Sequence, residues 1–191
     1  MSSIDPALLP TLVGTGFGLT ELGLLLERRS GTASAATDRG SLGRIWIVVG
    51  IAIALSIVAS VRFPQATSPA LGELRWAGVL VFLLGLALRG YSIFYLGRFF
   101  TVDVRIVADQ RVIDTGPYRL VRHPSYSGSL LEFLGLALTF GNWLSMLVLF
   151  VPACAVFIHR IRIEEEALCQ GLGEAYRRYM ARTHRLIPGV Y

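Results

Sequence analysis

Long apolar runs broken by short polar segments set the organisation of the chain. Five runs stand out: residues 7–26, 45–61, 74–96, 130–140 and 143–158. A membrane-crossing helix needs roughly 20 apolar residues, and the first three runs meet or approach that length. The second is rich in β-branched residues, but its length and hydropathy fit a membrane helix better than a strand. The last two runs are separated by Gly141 and Asn142, a pair suited to a turn, and predict a helical hairpin. Its first arm gains length from Ser127 to Ser129. The pattern predicts an all-α integral membrane protein with about five transmembrane helices and no Rossmann domain. It is read as one membrane domain, 1–191, with two leading spans and loops in 1–70 and the core in 71–191. Gly14, Gly16 and Gly18 are not read as a nucleotide loop, because no strand precedes them. Gly14 and Gly18, four apart, predict close helix packing.

Polar segments lie between and after these runs. Residues 97–126 are too polar for hydrocarbon, with Asp103, Asp109, Asp114 and five arginines. Residues 164–179 carry Leu168, Leu172, Tyr176 and Tyr179 at helical spacing, weakened by Gly171 and Gly173, and Pro188-Gly189 closes that segment. The first ten residues lack a basic stretch and carry Asp5, so the first run is expected to remain as a membrane helix and not to be a cleaved leader.

Composition supports this picture. Hydrophobic residues make up 53%, charged residues 16%, and the net charge is +5. A positive balance can signal nucleic acid, but here the arginines sit in loops beside apolar runs, as membrane orientation requires. Arg28, Arg29, Arg39 and Arg44, then Arg98 to Arg122, then Arg160 to Arg185 fall on one side, against Arg62 and Arg75 on the other. That asymmetry predicts a cytoplasmic C-terminus and an external N-terminus. Trp46, Trp76 and Trp143 read as interface anchors, and His159 and His184 as interfacial residues. Cys154 and Cys169 offer neither a metal spacing nor a disulfide framework.

Two clusters carry candidate chemistry. The first runs from Gly116 to Gly128: Gly-Pro-Tyr-Arg-Leu-Val-Arg-His-Pro-Ser-Tyr-Ser-Gly. Pro124 suits an early helix position, and the exposed N–H groups of a helix start favour a carboxylate. Gly116 and Gly128 permit a tight loop and close ligand approach. Arg119, Arg122 and His123 are donors, and Tyr118 and Tyr126 offer flat faces. The competing reading is a basic loop resting on lipid headgroups. The second cluster is Glu164, Glu165 and Glu166. Adjacent helical residues diverge by about 100°, so at most two can face one ligand. The competing readings are a solvated helix start or pairing with Arg160 and Arg162. Arg89 in the third run and Glu132 in the fourth are charges inside apolar stretches, each roughly 10–12 Å from the polar helix end at about 1.5 Å per residue. Such charges pair or line a cavity; the alternative for Arg89 is snorkelling to the interface.

The pattern Gly-Pro-Tyr-Arg-x-x-Arg-His-Pro-x-Tyr-x-Gly, then Glu-Glu, then Leu172-Gly173-Glu174-Ala175-Tyr176 and Arg185-Leu186-Ile187-Pro188-Gly189, resembles the isoprenylcysteine carboxyl methyltransferase family. Related phospholipid N-methyltransferases share its core. The resemblance covers roughly residues 89–191. It implies a helical membrane fold, S-adenosylmethionine as methyl donor with S-adenosylhomocysteine as product, and a lipid-like acceptor entering from the bilayer. By position it makes His123, Pro124, Tyr126, Gly128, Glu164 and Glu165 expected cofactor contacts, and Gly116, Tyr118 and Arg119 of the same cluster are expected to bind the cofactor with them. It makes Arg122 a candidate for orienting the methyl acceptor; Arg89, singled out above as a charge inside an apolar run, is expected to pair with Glu132 or to face the active site with Glu132 nearby. No metal and no nucleic-acid partner is implied. The alternatives are methylation of an amine, thiol or phospholipid headgroup, or a non-enzymatic scaffold or transporter. A compact length suggests a bacterial membrane, and the identity of the acceptor and the oligomeric state stay open.

Overall fold

The computed structural model describes residues 5–28, 40–102, 104, 106 and 109–191. Among the described residues six helices carry the architecture: α1 (Leu9–Arg28), α2 (Ser41–Arg62), α3 (Arg75–Leu96), α4 (Pro124–Thr139), α5 (Trp143–Leu172) and α6 (Glu174–Arg182). A one-turn helix, Pro69–Glu73, precedes α3. Strand character among the described residues is limited to isolated bridges, Thr67 with Asn142 and Val121 with His184. Among the described residues four helices, α1, α2, α3 and α5, are long and apolar enough to cross a membrane. The fourth helix has 16 residues, or about 24 Å, and is the short arm of the predicted hairpin. Arg29, Arg39, Asp103 and Arg105, which entered the charge pattern, lie outside the described residues.

The hairpin turn forms as its sequence requires. Gly141 adopts φ +62°, and Asn142 caps α5 by accepting from the Ser145 N–H at 3.0 Å. Asn142 also donates to the Phe63 carbonyl at 2.9 Å, which ties the hairpin to the end of α2. The core between helices is built from Val13, Phe17, Val49, Phe82, Phe133 and Phe157 with their apolar neighbours. Large apolar residues such as Leu19, Ile47, Val61 and Phe94 remain exposed, as a lipid-facing surface demands.

Close helix packing occurs elsewhere than the first run predicts. A Cβ at Gly18 touches nothing within 4 Å, and one at Gly14 meets only Leu136 Cδ1 at 3.9 Å. The backbone contact is instead between α3 and α4. A Cβ at Gly78 falls 2.8 Å from the Gly135 carbonyl oxygen, and one at Gly85 falls 2.6 Å from that of Gly128. Each pair is seven residues apart, two helical turns, so both glycines of each helix face the same seam.

The tail differs from expectation too. The segment bearing Glu164, Glu165 and Glu166 is not a new helix. Helix α5 runs unbroken for 30 residues, about 45 Å, and outruns the roughly 30 Å hydrocarbon layer. Gly171 does not break it, because Ile106 packs where a Cβ would stand. The break is Gly173 at φ +58°, whose N–H still bonds the Cys169 carbonyl. The acids therefore lie deep within α5, and the reading of a dipole-favoured helix start does not hold.

Candidate functional site

The loop ahead of α4 is pinned from two sides. Gly116, at φ +56°, lies flat on the ring of Tyr95, 2.6 Å from Cε2 for an added Cβ. Tyr118 is buried and donates to the Ser92 carbonyl at 3.2 Å, while Tyr179 of α6 donates to the Tyr118 carbonyl at 2.6 Å. On the other side the backbone N–H groups of Arg122 and His123 donate to the carbonyls of His184 and Arg185 at 2.7 and 3.0 Å. Pro124 opens α4 at its first turn, with His123 as N-cap. A proline there lacks only an N–H that no helix carbonyl accepts.

The three acids of α5 separate as their angular spacing requires. Glu165 is buried. It accepts from Arg122 Nε at 2.8 Å and from Arg185 Nε at 2.9 Å, with His123 Nε2 3.4 Å away. The bond to Glu165, first among several influences, raises the affinity of the Arg185 guanidinium for its proton. Arg122 also donates to the carbonyls of Met180 and Thr183. Glu165 is thus the hub that locks the chain's last segment onto the motif loop. Glu164 points elsewhere: it accepts from Tyr126 Oη at 2.6 Å and sits 3.9 Å from His123 Nδ1. His123 and Tyr126 stack with centroids 5.5 Å apart. Arg160 is buried and donates to Tyr126 Oη at 2.9 Å, to Ser41 Oγ at 2.7 Å and to the Val102 carbonyl. Through Tyr126 it is linked to Glu164.

Arg122, His123, Tyr126, Arg160 and Glu164 line a cavity of about 850 Å³ including its open mouth. His123, Tyr126, Glu164, Tyr118, Tyr176 and Tyr179 supply its polar and flat surfaces, with Leu168, Leu172 and Val112 between them. Burial pushes the phenols of Tyr118, Tyr176 and Tyr179 well above their ordinary range, so they stay protonated. Of the residues expected here, Gly116, Arg119, Pro124, Gly128 and Glu165 do not line this cavity. Arg119 is exposed. Gly128 stands in the seam with α3, where an added Cβ meets the Arg89 backbone nitrogen at 2.7 Å.

A second cavity, of about 710 Å³ including its open mouth, adjoins the first. Phe17, Ile45, Val49, Phe133 and Phe157 make it apolar, with Arg89 and Glu21 in its wall. Phe100, Thr101, Ser125, Tyr126 and Arg160 border both spaces. Arg89 is held by Glu21 and by Glu132, the latter at 3.2 Å. The expected pairing of Arg89 with Glu132 is present, and snorkelling is excluded. Glu21 was missed, although the rule that singles out Arg89 and Glu132, a charge inside an apolar run, applies to it equally. Arg160 and Trp46 were also missed as site residues; Trp46 lines the second cavity. No group of three or more His, Cys, Asp or Glu side chains among the described residues is arranged to hold a metal.

A helical membrane scaffold with a polar pocket against an apolar one defines a class that the comparisons identify. The chain belongs to the phospholipid methyltransferase family, whose model matches residues 74–175. Among curated relatives it is 34% identical over 117 residues to a probable protein-S-isoprenylcysteine O-methyltransferase of Oryza sativa subsp. indica, covering 60% of this chain and 61% of that protein. It is 33% identical over 115 residues to protein-S-isoprenylcysteine O-methyltransferase B of Arabidopsis thaliana, covering 59% and 58%. The chain thus spans about 60% of the length of these relatives. It also superimposes on a eukaryotic intramembrane Ras methyltransferase, isoprenylcysteine carboxyl methyltransferase, with TM-score 0.62 and 26% identity, covering 78% of this chain and 53% of that one. The kinship expected from the Arg-His-Pro and Glu-Glu motifs is borne out.

Proposed function

We propose that the chain is a membrane-embedded methyltransferase that uses S-adenosylmethionine to methylate a lipophilic acceptor, most like the carboxyl group of a prenylated cysteine. The observation that carries this reading is the pair of adjoining cavities, one polar and one apolar, divided by Ser125, Tyr126 and Arg160.

The first cavity has the donor set such a cofactor needs. Glu164 suits an ammonium or ribose hydroxyls. The start of α4, with N–H groups that lack helix acceptors, suits a carboxylate. Tyr118, Tyr176 and Leu172 suit an adenine. When bound, the cofactor supplies an activated methyl on a sulfonium. The chain's part is to fix both partners in line, a contribution worth several kcal/mol of barrier. Tyr126 and Arg160 form the partition across which the two partners meet. Arg89 receives the acceptor's anionic group in the second cavity. A carboxylate acceptor reacts as the anion and needs no general base. Arg122, with Nε and Nη1 engaged by Glu165, Met180 and Thr183, acts as a positioning residue for the motif loop. Gly116, Pro124, Gly128 and Glu165 shape and hold that loop from outside the cavity.

The arginine asymmetry supports a cytoplasmic cofactor site, with the acceptor arriving laterally from the bilayer. The test is transfer of labelled methyl from S-adenosylmethionine to a farnesylated cysteine analogue and to a lipid extract. Label released as methanol by alkali supports carboxyl methylation. Alkali-stable label assigns the activity to an amine or thiol, and no transfer to either acceptor defeats the reading.

A further inference from the structure

Arg89 presents one nitrogen to two acids that are held very differently. Nη1 donates to Glu21 Oε1 and, at 3.2 Å, to Glu132 Oε2. Glu132 is fully buried on α4, one turn beyond Gly128, whose backbone lies against that of Arg89. Arg89 and Glu132 therefore ride on two helices locked at their backbones. Glu132 Oε1 has no hydrogen-bond partner among the described residues. Glu21 comes from α1, which meets α4 through side chains: Phe17 stacks edge-on against Phe133 at 5.0 Å. Added Cβ atoms at Gly16, Gly18 and Gly23 meet nothing. Glu21 and Arg89 face the second cavity, whereas Glu132 lies behind it. One guanidinium against two carboxylates, +1 and −2, leaves the cluster at −1 when both acids are ionised. Surplus buried charge is unfavourable on its own account.

We propose that Glu21 holds the place of the acceptor's carboxylate on Arg89, so that acceptor binding is an exchange of one carboxylate for another. This rests on the reading of the second cavity as the acceptor site. Glu132 is the constant partner, and Glu21 is the one that yields. The exchange leaves the cluster's charge unchanged, since one guanidinium faces two carboxylates before and after. An acceptor with a cationic head gains nothing from Arg89 and is repelled by it. A neutral head cannot compete with an ion-paired acid. The displaced Glu21 must reach water, and only an anionic head, which replaces it on Arg89, offsets that cost. The residue responsible lies on α1, outside the matched region 74–175.

The test is calorimetric titration of the full chain in nanodiscs, loaded with S-adenosylhomocysteine, with farnesylthioacetate and with its methyl ester. Glu21→Gln is expected to bind the carboxylate about tenfold more tightly than wild type, because no resident acid has to be displaced, while ester binding is unchanged. If Glu21→Gln loses the thermal shift given by S-adenosylhomocysteine, Glu21→Asp takes its place. Its shorter reach to Arg89 is expected to give an intermediate gain. Unchanged or weaker carboxylate binding in a folded variant overturns the exchange and leaves Glu21 a structural partner of Arg89. If wild type binds neither carboxylate nor ester, it is the acceptor reading of the cavity that fails.

Discussion

The α3–α4 pair and helix α1 both border the second cavity, yet they are held by different physics. Between α3 and α4 the glycines at 78, 85, 128 and 135 bring backbone against backbone. Helix α1 has glycines too, but Gly16, Gly18 and Gly23 face open space, and its hold on α4 is side-chain packing. Small residues fix a spacing only where a partner backbone fills the gap they leave. The seam and the Glu165 lock together make a rigid half that sets where His123 and Arg89 stand. Helix α1 forms a half that is free to adjust.

The largest expected effect attacks the rigid half at Glu165. Glu165→Gln leaves Arg122 and Arg185 without their buried counter-charge, a loss of about 3 kcal/mol. Thermal melting in detergent should show it directly, and a wild-type melt would remove Glu165 from the lock. Next comes the seam. Gly135→Ala drives a Cβ into the Phe82 backbone, and overpacking of this kind costs about 1–3 kcal/mol. An unchanged melt there would mean that the helices separate at little cost. Glu164→Gln tests whether the cavity is distinct from the lock. It should weaken S-adenosylhomocysteine binding about tenfold, roughly 1.4 kcal/mol, while the melt without ligand stays put. A melt that falls with affinity would merge Glu164 with Glu165 in role. The smallest effect belongs to the adjustable half: Gly18→Ala has room for its methyl and should move stability by no more than about 0.5 kcal/mol. A larger loss would give α1 a tight contact after all.

The four long apolar helices are readable because hydropathy and length act locally. So is the kinship, because the motif loop and the Glu-Glu pair are contiguous in sequence. What failed needed a partner to be known. Glycine spacing in 14–18 resembles a packing motif, but only tertiary contact shows that Gly78 and Gly85 meet Gly135 and Gly128. The end of α5 lies beyond the apolar run 143–158, because the helix continues through the charged segment that follows it and turns only at Gly173. Neighbouring Glu164 and Glu165 read alike in sequence. Their roles part because Arg185, from the chain's last segment, reaches one and not the other.

The glycine seam also bears on how the protein lives in lipid. A bilayer that is thicker or thinner than a helix bundle prefers is accommodated by tilting whichever helices can tilt. With α3 and α4 in backbone contact, the separation of His123 from Arg89 is insulated from that stress, and α1 absorbs it. Under the proposed exchange, lipid thickness should therefore tune how readily Glu21 leaves Arg89, while the spacing of His123 and Arg89 stays the same.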